Sequence, residues 1–91
     1  MITMNNEMRI LKSEGCYLNW KQFSKGFKPV ELFYPNVEAD ILKVIVELYG
    51  ENYTEWLEKP IHRLNNYTPH QLLQTKTGSR IIKGYLMRLP Q

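Results

Sequence analysis

Trp56-Leu57-Glu58-Lys59-Pro60-Ile61-His62-Arg63-Leu64-Asn65-Asn66-Tyr67-Thr68-Pro69-His70-Gln71-Leu72-Leu73 is the stretch that decides the fold. It holds a helix stop, a turn and a strongly signalled helix start. Thr68 is a good N-cap, since its hydroxyl can accept from the unpaired N–H groups of a first helical turn. Pro69 falls at the first helical position, where its missing N–H costs nothing and its φ is already helical. Gln71, three residues after Thr68, completes a reciprocal capping box, and Tyr67 and Leu72 flank it as a hydrophobic staple. The pattern predicts a helix from Pro69 to about Thr75. Upstream, Pro60 stops a short helix around Tyr53–Glu58 that carries Trp56 and Leu57 inward.

Outward from this run the chain reads as helical. Asn36 is a candidate cap, and Val37, Ile41, Val44, Ile45 and Leu48 recur at helical spacing until Gly50 ends the helix as its left-handed terminator. Downstream, Thr77-Gly78-Ser79 reads as a break. A last helix is predicted from about Ser79 to Leu89, with Ile81, Ile82, Tyr85, Leu86 and Leu89 on one face and Pro90 closing it. Gly84 inside it costs about 1 kcal/mol against Ala, which suggests close approach of another backbone. Residues 1–35 are less regular. Met8, Ile10 and Leu11 form a short amphipathic piece, and the segment with Gly15, Gly26, Pro29 and Pro35 fits short strands or single helical turns equally well. The expected fold is mainly α: a small single-domain helical bundle with an irregular N-terminal extension (1–35) and a helical domain (36–91).

Composition narrows the classes. Ninety-one residues bury roughly 60–65% of their extended surface, enough for one modest core. A single cysteine, Cys16, excludes an intrachain disulfide and fits a reducing, cytoplasmic setting; it reads as a small buried hydrophobe. No signal-peptide pattern opens the chain, and no apolar run approaches the roughly 20 residues of a membrane span. The net charge of +3 is unevenly spread: residues 31–58 carry seven acids against Lys43 alone, and residues 59–91 carry six basic side chains with no acid. Such segregation either steers a partner or is neutralised within the fold.

A set of spaced residues carries a resemblance. Glu38-Ala39-Asp40-Ile41-Leu42, Leu48-Tyr49-Gly50, Trp56-Leu57, Pro60, Leu64, Thr68-Pro69, Leu72-Leu73, Thr75, Gly78, Ile82, Leu86 and Arg88 resemble the toxin-binding domain of the Xre/MbcA/ParS antitoxins over roughly residues 36–89. The resemblance implies a bacterial, non-enzymatic antitoxin whose partner is a RES-domain toxin that consumes NAD. In that family the C-terminal elements pack onto the toxin and obstruct its NAD pocket. Carried onto this chain, the role falls on Arg80, Lys83, Tyr85, Arg88, Leu89, Pro90 and Gln91. Arg88 is the best placed to offer a planar, permanently charged donor fork. Two departures stand out. Residues 1–35 are too short and too broken for the family's helix-turn-helix, so direct DNA binding is not expected of them. Asn65-Asn66 replaces the usual paired glycines, a change that asparagine's tolerance of left-handed φ allows.

Other constellations are weaker. His62 and His70 lack further ligands for a metal site. Glu55 and Glu58 read as a solvated face rather than a catalytic pair. No phosphate loop, nucleophile elbow or HExxH motif occurs, so no cofactor, metal or catalytic residue is expected. Trp56 reads as a core anchor. Lys21, Lys25 and Lys28, interleaved with Trp20, Phe23 and Phe27, support an alternative reading as a small basic nucleic-acid-binding module, provided that the aromatics are free to stack. A further alternative is a mobile-element inhibitor of another bacterial protein. A homodimer seamed along Ile41–Leu48 is the alternative assembly.

Overall fold

The apolar run Ile41-Leu42-Lys43-Val44-Ile45 sits at the centre of the molecule. In the computed structural model, which describes residues 2–89 without the side chains of Glu14 and Cys16, it belongs to a helix in which Ile41, Leu42, Val44 and Ile45 are all buried. In chain order the described helices are α1 (Asn6–Leu11), α2 (Glu14–Tyr17), α3 (Trp20–Lys25), α4 (Ala39–Tyr49), α5 (Tyr53–Leu57), α6 (Pro69–Leu72) and α7 (Lys76–Arg88). Single 3-10 turns at Gly50–Asn52 and His62–Leu64 join them. The fold is mainly α, and the described residues include no strand beyond one isolated antiparallel bridge between Ile61 and Tyr67. The radius of gyration, 12.2 Å, matches the value of about 12 Å expected of one compact domain of this length.

The N-terminal third is made of the short helices α1, α2 and α3 and a non-helical stretch before α4, and it completes the core. Met8, Leu11 and Trp20 are buried in the same cluster as Leu57, Leu64, Leu72, Ile81, Ile82 and Leu86. Asn5 caps α1 by accepting from the Met8 N–H at 2.9 Å. Trp20 places its apolar body in the core and donates its indole N–H to Asp40 Oδ2 at 2.6 Å, which satisfies the polar handle of an otherwise apolar ring. Phe23 packs between Trp20 and Phe27, with centroids 5.7 and 5.1 Å away. The helix α4 begins later than the sequence suggests. Glu38 is its N-cap residue, and Asn36 instead takes a left-handed φ of 63° in the turn before it, where Val37 N–H reaches Tyr34 O at 3.1 Å. Gly50 ends α4 at φ 59°, a conformation that an L side chain resists. The face offered for a dimer seam along Ile41–Leu48 is largely spent inside the chain.

The segment from Trp56 to Leu73 folds as its signals direct. Trp56 is half-buried and stacks on Tyr49, with centroids 4.6 Å apart and planes 17° from parallel. Asn65 and Asn66 both adopt left-handed φ, 57° and 62°, so that Asn66 N–H bonds Ile61 O and Ile61 N–H bonds Tyr67 O, each at 3.0 Å. The capping box is complete: Gln71 N–H donates to Thr68 Oγ1 at 3.0 Å, and Thr68 N–H donates to Gln71 Oε1 at 2.8 Å. The helix α6 is nevertheless one turn long, ending at Leu72 rather than Thr75.

The expected break at Thr77-Gly78-Ser79 is instead the first turn of α7. Thr75 caps it, accepting from Gly78 N–H at 2.9 Å while donating to Leu72 O at 3.3 Å. Gly78 is there because of proximity rather than flexibility: a Cβ at this position would lie 1.8 Å from the Leu72 carbonyl oxygen. The glycine lets α6 and α7 meet almost backbone to backbone, and this sets the direction of α7. The Cys16 side chain expected in the core lies outside the described residues, as do Pro90 and Gln91.

Candidate functional site

The helix α7 offers two lined grooves. The first, with a volume of about 480 Å³, is bounded by Glu7, Ile10, Leu11, Arg63, Tyr85, Arg88 and Leu89. It is assembled by clips between the N-terminus and the Ile61–Tyr67 turn. Thr3 N–H donates to Tyr67 OH at 2.9 Å, Asn65 Nδ2 donates to Thr3 O at 2.9 Å, and Asn5 Nδ2 donates to Arg63 O at 3.0 Å. Arg63 then forks onto Glu7, with Nε 3.0 Å from Oε2 and Nη2 bonded to Oε1. Its guanidinium lies 5.8 Å from the centroid of the Tyr85 ring. The Arg63 hydrogen bonds hold the Glu7 carboxyl below its ordinary value, and the carboxylate in turn raises Arg63. Ile10 stands 59% exposed at the edge, an apolar side chain that α1 presents to solvent beside two arginines.

The second groove, about 440 Å³, is bounded by Tyr17, Glu38, Leu73, Gln74, Thr75, Lys76, Ser79, Arg80 and Lys83. Lys76, Arg80 and Lys83 stand at i, i+4 and i+7 of α7 and so share one helical face. The Arg80 guanidinium lies 5.5 Å from the centroid of the Tyr17 ring. Among the described residues the ion pairs are Arg63–Glu7 and His70–Glu58, so none of these three cations has a carboxylate partner.

These positions divide the residues expected to meet a partner. Tyr85, Arg88 and Leu89 come together in the first groove, whereas Arg80 and Lys83 line the second. Pro90 and Gln91 lie outside the described residues. Sequence reasoning missed Glu7, Ile10, Arg63, Tyr17 and Lys76. Glu7 meets Arg63 across fifty-six positions, and the break expected at Thr77-Gly78-Ser79 sets Lys76 outside the last helix. Lys21, Lys25 and Lys28 are exposed, Trp20 is 4% exposed, and Phe23 and Phe27 are half-buried against the core.

His70 and Glu58 form a local structural clasp. His70 Nδ1 lies 2.9 Å from Glu58 Oε2, its Nε2 lies 2.9 Å from Pro35 O, and Tyr34 donates to the same Glu58 oxygen. That hydrogen bond pushes the Tyr34 phenol up to about 12. Among the described residues no group of three or more His, Cys, Asp or Glu side chains is placed to hold a metal ion, and no helix is long and apolar enough to cross a membrane. Both grooves offer fixed positive charge, aromatic faces and limited apolar contact. Comparison of the chain with family models, curated proteins and solved structures found no match.

Proposed function

We propose that this chain is a non-enzymatic, antitoxin-like inhibitor that acts in the bacterial cytoplasm. It neutralises a RES-type, NAD-consuming toxin with the C-terminal half of α7 and the tail that follows. The observation that carries the reading is the convergence of Tyr85, Arg88 and Leu89 with Arg63 and Ile10 in one groove at the end of the chain's longest helix. Two guanidinium groups beside an apolar rim suit a protein surface that presents acidic and polar groups around a nucleotide pocket. The Arg63–Glu7 pair and the Thr3, Asn5 and Asn65 clips hold this groove in shape before any partner arrives, which lowers the ordering cost of docking.

Deleting Tyr85–Gln91 would also remove Leu86, which is fully buried, and so confounds binding with folding. The cleaner test is Arg88→Glu in the full chain, co-expressed with a RES-domain toxin encoded beside it. Growth rescue and co-purification should both be lost, while the circular dichroism spectrum and melting temperature of the isolated protein stay close to those of the parent. Undiminished rescue by this variant, and by a second one truncated after Leu89, would remove the C-terminal mechanism.

A further inference from the structure

We propose that the second groove of α7 binds the phosphodiester backbone of a nucleic acid, at a site distinct from both the C-terminal contact surface and the lysines Lys21, Lys25 and Lys28. Three features support this assignment. Lys76, Arg80 and Lys83 lie along one face of a continuous helix, spanning about 10 Å at a rise of 1.5 Å per residue. That length matches about three nucleotides at a strand rise of roughly 3.4 Å. Glu38 is the one acid among the lining residues, and none of the three cations is engaged in an ion pair among the described residues. Positive charge is therefore held ready on a formed surface rather than consumed by the fold.

The lining also favours a nucleic acid over an acidic protein segment. Tyr17 brings an aromatic face into the groove, with the planar Arg80 guanidinium already set against it. An aromatic ring and an arginine plane together form a platform on which a base can stack. Gln74 and Ser79 add neutral hydrogen-bonding groups suited to sugar and phosphate oxygens. A protein partner of ordinary affinity would need apolar anchor pockets. The aliphatic lining here is Leu73, already 8% exposed and committed to the core.

The test uses the full chain and fluorescein-labelled oligonucleotides of mixed sequence: single-stranded RNA, single-stranded DNA and a DNA duplex. Anisotropy is recorded from low to moderate salt. Binding at low salt should weaken with a log–log slope of about −2 for single strands or about −3 for duplex, as expected for three phosphate contacts. The steeper or tighter arm identifies the form bound. Lys76→Glu with Lys83→Glu should weaken binding more than tenfold. The charge-matched control Lys25→Glu with Lys28→Glu should change it less than threefold, and both proteins should melt near the parent temperature. The proposal is overturned by absence of binding at low salt, by equal loss in the two double variants, or by a polyglutamate peptide that binds as tightly as the oligonucleotides with the same groove dependence. Toxin neutralisation is read separately, so failure here leaves the C-terminal inhibitor reading standing.

Discussion

The two flanks of α7 carry similar side chains in opposite states. On one flank Arg63 is gripped by Glu7 and laid over Tyr85, and the N-terminal segment is stitched to the same place by Thr3 and Asn5. On the other, Lys76, Arg80 and Lys83 face solvent-accessible space with only Glu38 at the rim. The acid-rich stretch 31–58 and the acid-free stretch 59–91 could have neutralised each other within the fold. Among the described residues they meet where His70 contacts Glu58, while Lys76, Arg80 and Lys83 pair with no carboxylate. The contrast teaches that a segregated charge pattern is neutralised only where backbone geometry brings the opposite signs within reach. The acid that does so for Arg63 comes from α1, fifty-six positions away.

The largest effect expected follows from the contact that aims both flanks. Gly78→Ala would place a methyl 1.8 Å from the Leu72 carbonyl oxygen, and a backbone carbonyl in a capped turn has little room to yield. The helix must tilt away from α6, at a cost of about 3 kcal/mol. For a domain of this size that lowers the melting temperature by about 12 °C or more. Thermal unfolding followed by circular dichroism checks it. A melting temperature within two or three degrees of the parent would mean that α7 is aimed by its other contacts instead.

Thr75 fixes the same helix through its cap, and Thr75→Ala tests that role more gently. The side chain accepts from Gly78 N–H and donates to Leu72 O, so its removal frees a donor of the first turn of α7. The expected loss is ~1 kcal/mol, or about 4–8 °C in melting temperature. Thr68→Ala, which breaks the capping box of the one-turn α6, should cost a similar amount. A much larger loss at Thr75 than at Thr68 would show that the α6–α7 junction, rather than the longer loop before it, governs the stability of both flanks.

These two junctions also mark what could be read from the sequence. Thr68-Pro69-His70-Gln71 was legible because capping is local: the donor and acceptor lie within three residues, and each residue type has one dominant use there. Gly50 and Asn65-Asn66 were legible for the same reason, since few residue types tolerate left-handed φ. Gly78 was misread as a breaker, because its true constraint is a carbonyl on the preceding helix, and nothing local distinguishes a packing glycine from a turn glycine. The start of α7 and the role of Thr75 were lost with it. Trp20 could not be placed in advance, because its partner Asp40 lies on α4. For the candidate site, the basic tail was legible as composition. Its division into two grooves depends on which residues of α1, α2 and the Asn65–Asn66 turn flank α7, and those contacts are long-range.

The pinned flank carries a pH signature. The Arg63 hydrogen bonds depress the Glu7 carboxyl below its ordinary value of 4.5. A group whose folded-state value is depressed adds stability that is complete above the unfolded value and is lost as pH falls through the folded one. Glu7→Gln should therefore melt slightly below the parent at neutral pH, and the two curves should converge as the solution is acidified below about pH 4. Arg63 is largely exposed and the Glu7 side chain is 35% exposed, so salt should shrink the difference as well. A gap that persists at low pH would assign the Glu7 contribution to packing rather than to charge.

The smallest expected effect is a null on the open flank, and it sharpens the contrast most directly. Lys76→Gln with Lys83→Gln removes two cations that have no carboxylate partner among the described residues. Surface changes away from caps, ion pairs and the core stay within about 0.5 kcal/mol. Relief of like-charge repulsion along the helix face should, if anything, raise the melting temperature at low salt, because like charges at i, i+4 spacing destabilise a helix. Added salt should then erase the difference between variant and parent. A clear loss of stability would mean that these side chains support the fold, as Arg63 does, and the two flanks would no longer differ in kind. An unchanged or slightly higher melting temperature leaves their positive charge without a structural role and available to an anionic partner.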